Sequence, residues 1–264
     1  MEKHFELTQE YKINAFGIKL FRIKATKKSK YVNEGELGGW VEKEECLSGN
    51  AWVSGNAEVS GNARVYGNAE VSGDARVSGN ARVSGNARVY GNAEVSGNAR
   101  VYGNAEVSGN ARVYGNAEVS GNARVYGNAR VSGNARVSGN AEVSGNARVY
   151  GNAEVSGDAR VSGNAEVSGD ARVSGNARVY GNAEVSGDAE TKSNNDYCCF
   201  QNFGSTNRTT TFFKEKDNKI KVSCGCFSGS IEEFEKEVRK THGEGKNAKE
   251  YISIIEVVKI KFGL

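Results

Sequence analysis

The sequence predicts a mainly β protein, in which a parallel β-helix is flanked by a small β cap and a C-terminal α+β domain. A six-residue phrase, Ala-x-Val-Ser/Tyr-Gly-Asn/Asp, occurs 23 times without interruption from Ala51 to Asp188. Glu45–Asn50 is a degenerate further copy, and after Asp188 the phrase decays and the composition changes. We therefore predict an N-terminal cap at residues 1–44, a repeat β-helix at 45–191 and the α+β domain at 192–264.

The N-terminal cap is predicted from alternating apolar and polar residues. In YKINAFGIKLFRIKA the alternation holds on both sides of Gly17, which predicts two short strands, Ile13–Phe16 and Ile18–Ala25. Trp40 and Trp52 lie at the start of the repeats. Because the apolar end of a repeat stack must be covered, we interpret both tryptophans as a plug rather than as a ligand site.

Each repeat is predicted to be a very short strand followed by a corner. Ala and Val are two positions apart and point to the same side of a strand, whereas x and Ser/Tyr point to the other side. Gly-Asn or Gly-Asp then favours a turn, since both residue types tolerate positive φ. One such strand cannot bury its apolar face alone, but stacked coils can.

The phrase V-S-G-N-A-x resembles the hexapeptide motif of left-handed parallel β-helix proteins. In that family three hexads form one triangular coil, so the resemblance implies about eight coils and left-handed winding. The flanking segments LGGWVEKE, GCFSGSIEEFEKEV and KEYISIIEVVKIKF resemble uncharacterised phage and prophage hexapeptide-repeat proteins. This second resemblance implies an accessory role in infection, such as binding a host factor or inhibiting a defence system.

A coil of three hexads predicts which surface residues stack on one another. One face alternates in charge, and opposite charges on neighbouring strands stabilise a sheet. Its members are Glu70, Arg88, Glu106, Arg124, Glu142 and Arg160. The two other faces each contain a run of three arginines, which ends at Glu118 on one face and at Glu166 on the other.

The arginine runs and their flanking tyrosines are candidate ligand-binding sites. The first comprises Arg64, Tyr66, Arg82, Arg100 and Tyr102, and the second comprises Arg112, Tyr114, Arg130, Arg148 and Tyr150. Arginine and tyrosine together are suited to holding a polyanion or stacking a nucleotide. The alternative is that the runs are a by-product of duplication, because every tyrosine of the array follows an arginine in the phrase ARVYGN.

The C-terminal domain is predicted to contain three strands, YCCFQNF, TTTFFKEK and KIKVSCGCF, with a turn at Asp217-Asn218. Ser230 and Glu233 form a predicted capping box, which begins the helix IEEFEKEVRKT. The last segment, AKEYISIIEVVKIKF, is amphipathic and is predicted to be a helix that turns extended toward Phe262.

Catalytic residues are scarce, and we expect no enzyme. Left-handed β-helices include acyltransferases that use a histidine base beside the coils, but His4 and His242 both lie outside the array. The candidate site residues of the C-terminal domain are Cys226, His242 and Tyr251. The five cysteines are interpreted as reduced, mostly buried apolar side chains, with zinc binding or a Cys226–His242 nucleophile–base pair as alternatives.

Charge and hydropathy limit the expected partners. The 23 repeats carry 13 arginines and 13 acidic residues, a balance that argues against non-specific binding of nucleic acid. No apolar run is long enough for a membrane-spanning helix, so no membrane association is expected. The polar N-terminus argues against a secretory signal, which predicts a cytoplasmic location, in the host if the chain is phage-encoded.

The sequence thus predicts a non-enzymatic binding or scaffold protein without a cofactor. A rigid rod would present the C-terminal domain to a protein partner, or would associate laterally with a second rod. A nucleotide or nucleic-acid binder through the Arg–Tyr runs, and a structural component of a virion or assembly, are the alternative functions. An acyltransferase-like enzyme is the least favoured.

Overall fold

A computed structural model describes residues 4–204 and 207–264, and it shows a β-solenoid closed by a cap at each end. The N-terminal cap contains β1 (Phe5–Ile13), β2 (Lys19–Ala25) and β3 (Leu37–Val41), which pair in antiparallel order. A single 3-10 turn, Glu44–Cys46, joins this cap to the first coil.

The first predicted strand, Ile13–Phe16, is wrong. The side-chain oxygen of Asn14 accepts hydrogen bonds from the backbone N–H groups of Phe16 and Ile18, and Gly17 has a positive φ. These contacts close a tight turn where a strand was predicted. The strand lies before it, as β1, whose sequence FELTQEYKI is too polar to stand out.

The solenoid consists of 24 very short strands, β4 to β27. In chain order they are Trp52–Val53, Glu58–Val59, Arg64–Val65, Glu70–Val71, Arg76–Val77, Arg82–Val83, Arg88–Val89, Glu94–Val95, Arg100–Val101, Glu106–Val107, Arg112–Val113, Glu118–Val119, Arg124–Val125, Arg130–Val131, Arg136–Val137, Glu142–Val143, Arg148–Val149, Glu154–Val155, Arg160–Val161, Glu166–Val167, Arg172–Val173, Arg178–Val179, Glu184–Val185 and Glu190–Thr191. Every third strand belongs to the same sheet, so one coil contains three strands.

The three sheets form the three faces of the solenoid. Face 1 contains β5, β8 and every third strand to β26, and it continues into the N-terminal cap through β3. Face 2 runs from β6 to β27, and face 3 runs from β4 to β25. Neighbouring strands are parallel and pair equivalent residues of successive coils, as in Arg88 with Glu106. The predicted solenoid of about eight coils is confirmed, and its left-handed sense stays a prediction.

The interior is formed by the alanine and valine columns of the repeat. All of these side chains from Ala51 to Val185 are buried, which confirms the predicted alternation. At the N-terminal end Trp52 is only 2% exposed and Trp40 is also buried. His4 lies near the ring of Trp52 and forms a hydrogen bond through Nε2 with the Ala51 carbonyl oxygen, at 2.8 Å. Trp52 pairs in register with Glu70 and Trp40 with Glu58, which are outward positions of the next coil. The tryptophans are therefore buried on the outer side of their strands, and their interpretation as a plug over the open end stays a prediction.

The corner glycine is required by the backbone and by the neighbouring coil. Gly109 has φ +66°, and a Cβ atom at this residue would lie 3.0 Å from both the N and the O atom of Gly127. A close approach to the glycine of the next coil recurs at every corner from Gly49 to Gly169. Only glycine satisfies both constraints without displacing the next coil.

The corner asparagines form hydrogen-bonded ladders, a role that the sequence analysis missed. The Asn110 side-chain amide donates to Oδ1 of Asn128 at 3.1 Å, and each of the three corners contains a series of such bonds. Asp74 interrupts one series, because its carboxylate accepts from Asn56 but has no N–H to donate onward. Asn and Asp are therefore equivalent as turn residues but not as members of a ladder.

The C-terminal cap contains a four-stranded antiparallel sheet and two helices. The strands are β28 (Tyr197–Phe203), β29 (Arg208–Lys214), β30 (Ile220–Cys224) and β31 (Phe227–Ser230), and the helices are α1 (Ile231–His242) and α2 (Lys246–Phe262). The capping box of Ser230 and Glu233 is confirmed. Three predicted strands become four because Gly225, with φ +61°, divides KIKVSCGCF into a hairpin. The predicted extended end is wrong, since α2 remains helical to Phe262.

The two faces of this sheet have different partners. Tyr197 and Phe213 pack on the solenoid core, whereas Phe212 and Val222 pack against the helices. Cys199 packs on the solenoid side of the sheet and Cys198 packs on the helix side, as the alternation along a strand predicts. The sheet therefore closes the open end of the solenoid and positions the helices beyond it.

Replacing Gly109 with alanine tests the corner. We expect a loss of at least about 1 kcal/mol in the free energy of unfolding, because alanine must adopt a left-handed φ against the backbone of Gly127. The measurement is urea denaturation followed by circular dichroism, with Ser108→Ala on the preceding residue as the control. Equal stability of the two variants would contradict this account.

Candidate functional site

The charged columns of the solenoid lie in the predicted register. On face 3, Arg88 pairs with Glu70 on one side and with Glu106 on the other, and the alternation of charge continues to Arg160. It ends there, because Arg160 pairs with Arg178. The predicted runs Arg64–Arg82–Arg100 and Arg112–Arg130–Arg148 are also adjacent, on faces 2 and 1 respectively.

Four of the seven tyrosines of the array belong to a recurring three-residue arrangement. Arg124 Nη2 lies 3.3 Å from Glu142 Oε1, and the Tyr126 hydroxyl donates to Glu142 Oε2 at 3.5 Å. We call this an Arg-Tyr-Glu triad. The other triads are Arg88–Tyr90–Glu106, Arg100–Tyr102–Glu118 and Arg148–Tyr150–Glu166. In each, the glutamate lies one coil after the arginine, so one carboxylate adjoins two donors of the preceding coil.

Two positions lack the glutamate of the triad. Arg64 and Tyr66 face Arg82, and Arg112 and Tyr114 face Arg130. Within residues 4–204 and 207–264, the hydroxyls of both tyrosines lack a hydrogen-bond partner. Tyr180, at the C-terminal end, packs edge-on against Tyr197 instead. We call the arrangements at Arg64 and at Arg112 acceptor gaps.

The acceptor gap on face 2 contains two arginines without a carboxylate. Among the described residues neither Arg64 nor Arg82 forms a salt bridge, whereas Arg100 pairs with Glu118 at 3.4 Å. The guanidinium groups line a shallow cleft of about 540 Å³ together with corner asparagines. The cleft residues are Asn62, Arg64, Asn80, Arg82, Asn98, Arg100 and Asn116. This cleft is therefore positively charged and lined by hydrogen-bond donors.

The acceptor gap on face 1 is more nearly neutral. Arg112 lies 3.3 Å from Glu94 and Arg148 lies 3.1 Å from Glu166, so only Arg130 lacks a carboxylate within the described part of the chain. Glu94 also lines the local cleft of about 230 Å³. Although the two arginine runs look alike in sequence, they differ in the charge that neighbouring glutamates leave exposed.

In the C-terminal cap the structure brings His242 and Tyr251 together. Their rings stack at 5.9 Å, and both line a cleft of about 270 Å³ between the sheet and α1. The cysteine in this cleft is Cys224, whose Sγ accepts from Thr210 Oγ1 at 3.1 Å and lies 4.0 Å from the Tyr251 hydroxyl. Cys226 lies on the β30–β31 turn, is exposed and does not line the cleft.

Burial reduces the acidity of several groups in the two cores. It raises the pKa of the Tyr251 hydroxyl to about 12 and that of the Cys198 thiol to about 11, and it also raises the pKa of Cys199 and of Cys46. All five cysteines are free. In the parts of the chain that the structure describes, no three His, Cys, Asp or Glu side chains are grouped to hold a metal ion.

A larger apolar groove lies between β28 and α2, and sequence reasoning missed it. Its volume is about 700 Å³, and it is lined by Phe200, Phe203, Lys246, Lys249, Glu250, Ser253, Ile254 and Val257. Val257 is 53% exposed although it is apolar and helical. The sequence contained a signal for this groove, because α2 has more apolar residues than are needed to cover one buried helix face.

Comparison with known proteins identifies the repeats but neither cap. The YdcK beta solenoid repeat family matches eight segments of the array, at residues 57–73, 69–84, 81–97, 105–121, 117–131, 129–145, 141–157 and 171–187. A search of curated proteins finds no match. No helix within residues 4–204 and 207–264 is long and apolar enough to cross a membrane. The array is thus similar to the repeats of a β-solenoid family, which agrees with the observed fold.

The Arg-Tyr-Glu triad is tested by replacing Glu142 with glutamine. This glutamate contacts Arg124, Arg160 and Tyr126, so we expect the free energy of unfolding to fall by about 0.5–1 kcal/mol. The loss should shrink at high salt, which screens the ion pairs. Glu70→Gln is the matched control, because Glu70 lies in the same column without a salt bridge among the described residues. An equal loss in both variants would contradict the triad.

The cysteines are tested by the rate of alkylation with iodoacetamide near neutral pH. We expect Cys226 to react first because it is exposed, and Cys198 to react slowly because thiolate is scarce when the thiol pKa is about 11. Peptide mass spectrometry over time gives the rate at each site. Cys198 reacting as fast as Cys226 would show that the sheet of the C-terminal cap is open.

Proposed function

We propose that this protein is a non-enzymatic binding scaffold, in which the solenoid carries a C-terminal cap that binds a segment of a partner protein. The observation that supports this proposal is the apolar groove between β28 and α2. It combines an apolar floor, a basic rim and a fixed position at the end of the solenoid.

The floor of the groove is apolar and open to solvent. Phe200 and Phe203 contribute from β28, and Ile254 and Val257 contribute from α2. Phe203 and Val257 are both exposed, so further apolar area remains to be covered. An apolar groove with a polar rim is typical of sites that accept a peptide segment.

The rim of the groove determines the charge of the partner. Lys246 and Lys249 lie at its edge, and Glu250 is occupied by the Gly204 backbone N–H, which donates to it at 2.8 Å. Lys246 approaches Glu250 only to 3.7 Å, and Lys249 has no carboxylate partner among the described residues. We therefore infer that the partner segment combines apolar anchors with aspartate or glutamate.

The cap is attached to the last coil by polar contacts as well as by its buried face. The Ser223 hydroxyl donates to Glu184 Oε2 at 2.9 Å, and the Glu184 backbone N–H donates to Thr211 Oγ1 at 3.0 Å. The carbonyl of Arg178 accepts a hydrogen bond from the Tyr197 hydroxyl. These contacts support a scaffold in which the groove keeps one orientation relative to the solenoid.

Structural roles for both histidines support a function without catalysis. His4 bonds to the Ala51 carbonyl oxygen beneath Trp52, and His242 stacks on Tyr251 at the end of α1. The resemblance of the flanking segments to phage and prophage proteins further suggests that the partner is a host protein, such as a component of a defence system. In that case the protein acts in the host cytoplasm.

The groove is tested by selecting binders from a random peptide library against the purified protein. We expect enrichment of peptides with apolar anchors next to Asp or Glu, and a loss of affinity of at least about tenfold for Val257→Glu. The matched control is Ile260→Glu on the same helix, since Ile260 is 82% exposed and does not line the groove. No enrichment, or equal losses in both variants, would overturn the proposal.

Sedimentation of the same variants distinguishes a foreign partner from self-association. We expect the wild-type protein to remain monomeric, because the proposed occupant of the groove belongs to another protein. A dimer that Val257→Glu dissolves and Ile260→Glu does not would replace the partner by a second copy of this chain. A larger assembly unaffected by Val257→Glu would favour a structural component of a virion or assembly.

A further inference from the structure

The acceptor gap on face 2 has the geometry of an Arg-Tyr-Glu triad from which the anion is missing. In the triad next to it on the same face, Glu118 accepts from Arg100 at 3.4 Å and from the Tyr102 hydroxyl at 3.4 Å. At Arg64 and Tyr66 the equivalent position is occupied by Arg82. Arg64 and Tyr66 therefore keep the two donors of a triad, but the residue one coil later is a third donor instead of a carboxylate.

Electrostatics favours an anion at this gap. Arg64 and Arg82 lie on paired parallel strands, so their Cα atoms are about 4.8 Å apart. Neither forms a salt bridge among the described residues, and like charges on directly paired residues are destabilising. Two clefts adjoin the gap: one of about 540 Å³ contains Arg64 and Arg82 among asparagines, and one of about 240 Å³ contains Tyr66 and Arg82. Neither is lined by a carboxylate. A bound anion would relieve the repulsion between the two guanidinium groups.

We propose that this gap, formed by Arg64, Tyr66 and Arg82, binds the phosphate group of a small molecule. A phosphate dianion balances two guanidinium groups, and its oxygens accept from both arginines and from the Tyr66 hydroxyl. Arginine suits this role because its planar group donates two parallel hydrogen bonds to an oxyanion. The phosphate supplies the negative charge that glutamate supplies in the four triads.

The second acceptor gap, on face 1, is the weaker site. There Arg112 is already bound to Glu94 at 3.3 Å, and the carboxylate of Glu94 lines the cleft itself. An incoming phosphate would meet one free arginine, Arg130, and a negative charge beside it. We therefore expect the two gaps to differ in affinity, although both arise from the same substitution of Arg for Glu.

The extent of positive charge favours a small ligand over nucleic acid. The arginine run on face 2 spans three coils, about 10 Å, and ends at Glu118. The repeat array as a whole carries no net charge, so it offers no continuous path for a phosphate backbone. The asparagines beside the run supply amide groups suited to the polar remainder of a phosphorylated small molecule.

The experiment is a calorimetric titration of the protein with inorganic phosphate and with ribose 5-phosphate. We expect saturable binding and a loss of at least about tenfold in affinity for Arg82→Glu, which restores the carboxylate of the other triads. Arg130→Glu should have a smaller effect. Lys28→Glu changes the net charge equally, at an exposed loop residue outside the cleft, and should bind like the wild type. Circular dichroism checks that each variant folds.

Each arm of this experiment supports or overturns the site. Binding of both phosphate and ribose 5-phosphate that depends on Arg82 supports it, and tighter binding of ribose 5-phosphate shows that the asparagines contact the organic part. No saturable binding at millimolar phosphate, or equal losses in Arg82→Glu and Lys28→Glu, would overturn it. Binding of a single-stranded oligonucleotide with no binding of ribose 5-phosphate would replace it by a nucleic-acid site.

Discussion

The structure depends on one constraint, the in-register pairing of parallel strands from successive coils. This pairing places each residue of the repeat beside its equivalent one coil later. Each position of the hexad therefore forms a continuous column of side chains along the solenoid. The alanine and valine columns form the core, and the glycine column allows the corners to approach. The asparagine column forms a ladder of side-chain hydrogen bonds. Stability is therefore distributed along the solenoid rather than concentrated in one region.

The same constraint makes the surface sensitive to which hexads contain glutamate. Where glutamate follows an Arg-Val-Tyr hexad by one coil, the exposed arginine and tyrosine share one carboxylate, as Arg124 and Tyr126 share Glu142. Where arginine occupies that place, the same donors lack an acceptor. The arginine runs were interpreted either as ligand sites or as by-products of duplication. The register of the coils places both runs on the surface, and the charge around Arg82 makes one of them chemically distinct.

Much of the fold was predictable because each position of the repeat has one structural role. Alanine and valine form the core side of a short strand, and the Gly-Asn or Gly-Asp pair forms the corner. The errors lie where one residue type has two roles or where contacts are tertiary. Asparagine favours a turn and also builds a ladder, and the local sequence shows only the first role. Gly225 appeared within a strand, but its positive φ makes it a hairpin corner.

The candidate sites show a similar limit. Their register followed from the six-residue period together with the three hexads per coil that the family resemblance implied. The salt bridge between Arg112 and Glu94, by contrast, connects two coils and required side-chain geometry. The groove at Val257 is formed by a strand and a helix that are distant in the sequence, so its shape could not be read from either one.

The most direct test of the account is a crystal structure of the protein grown in phosphate. It would show both the register of the coils and the occupancy of each surface position. We expect tetrahedral density between Arg64 and Arg82 within reach of the Tyr66 hydroxyl, and no such density at the triad of Arg88, Tyr90 and Glu106. An empty gap, or density spread equally over gaps and triads, would contradict the claim that the missing glutamate creates an anion site.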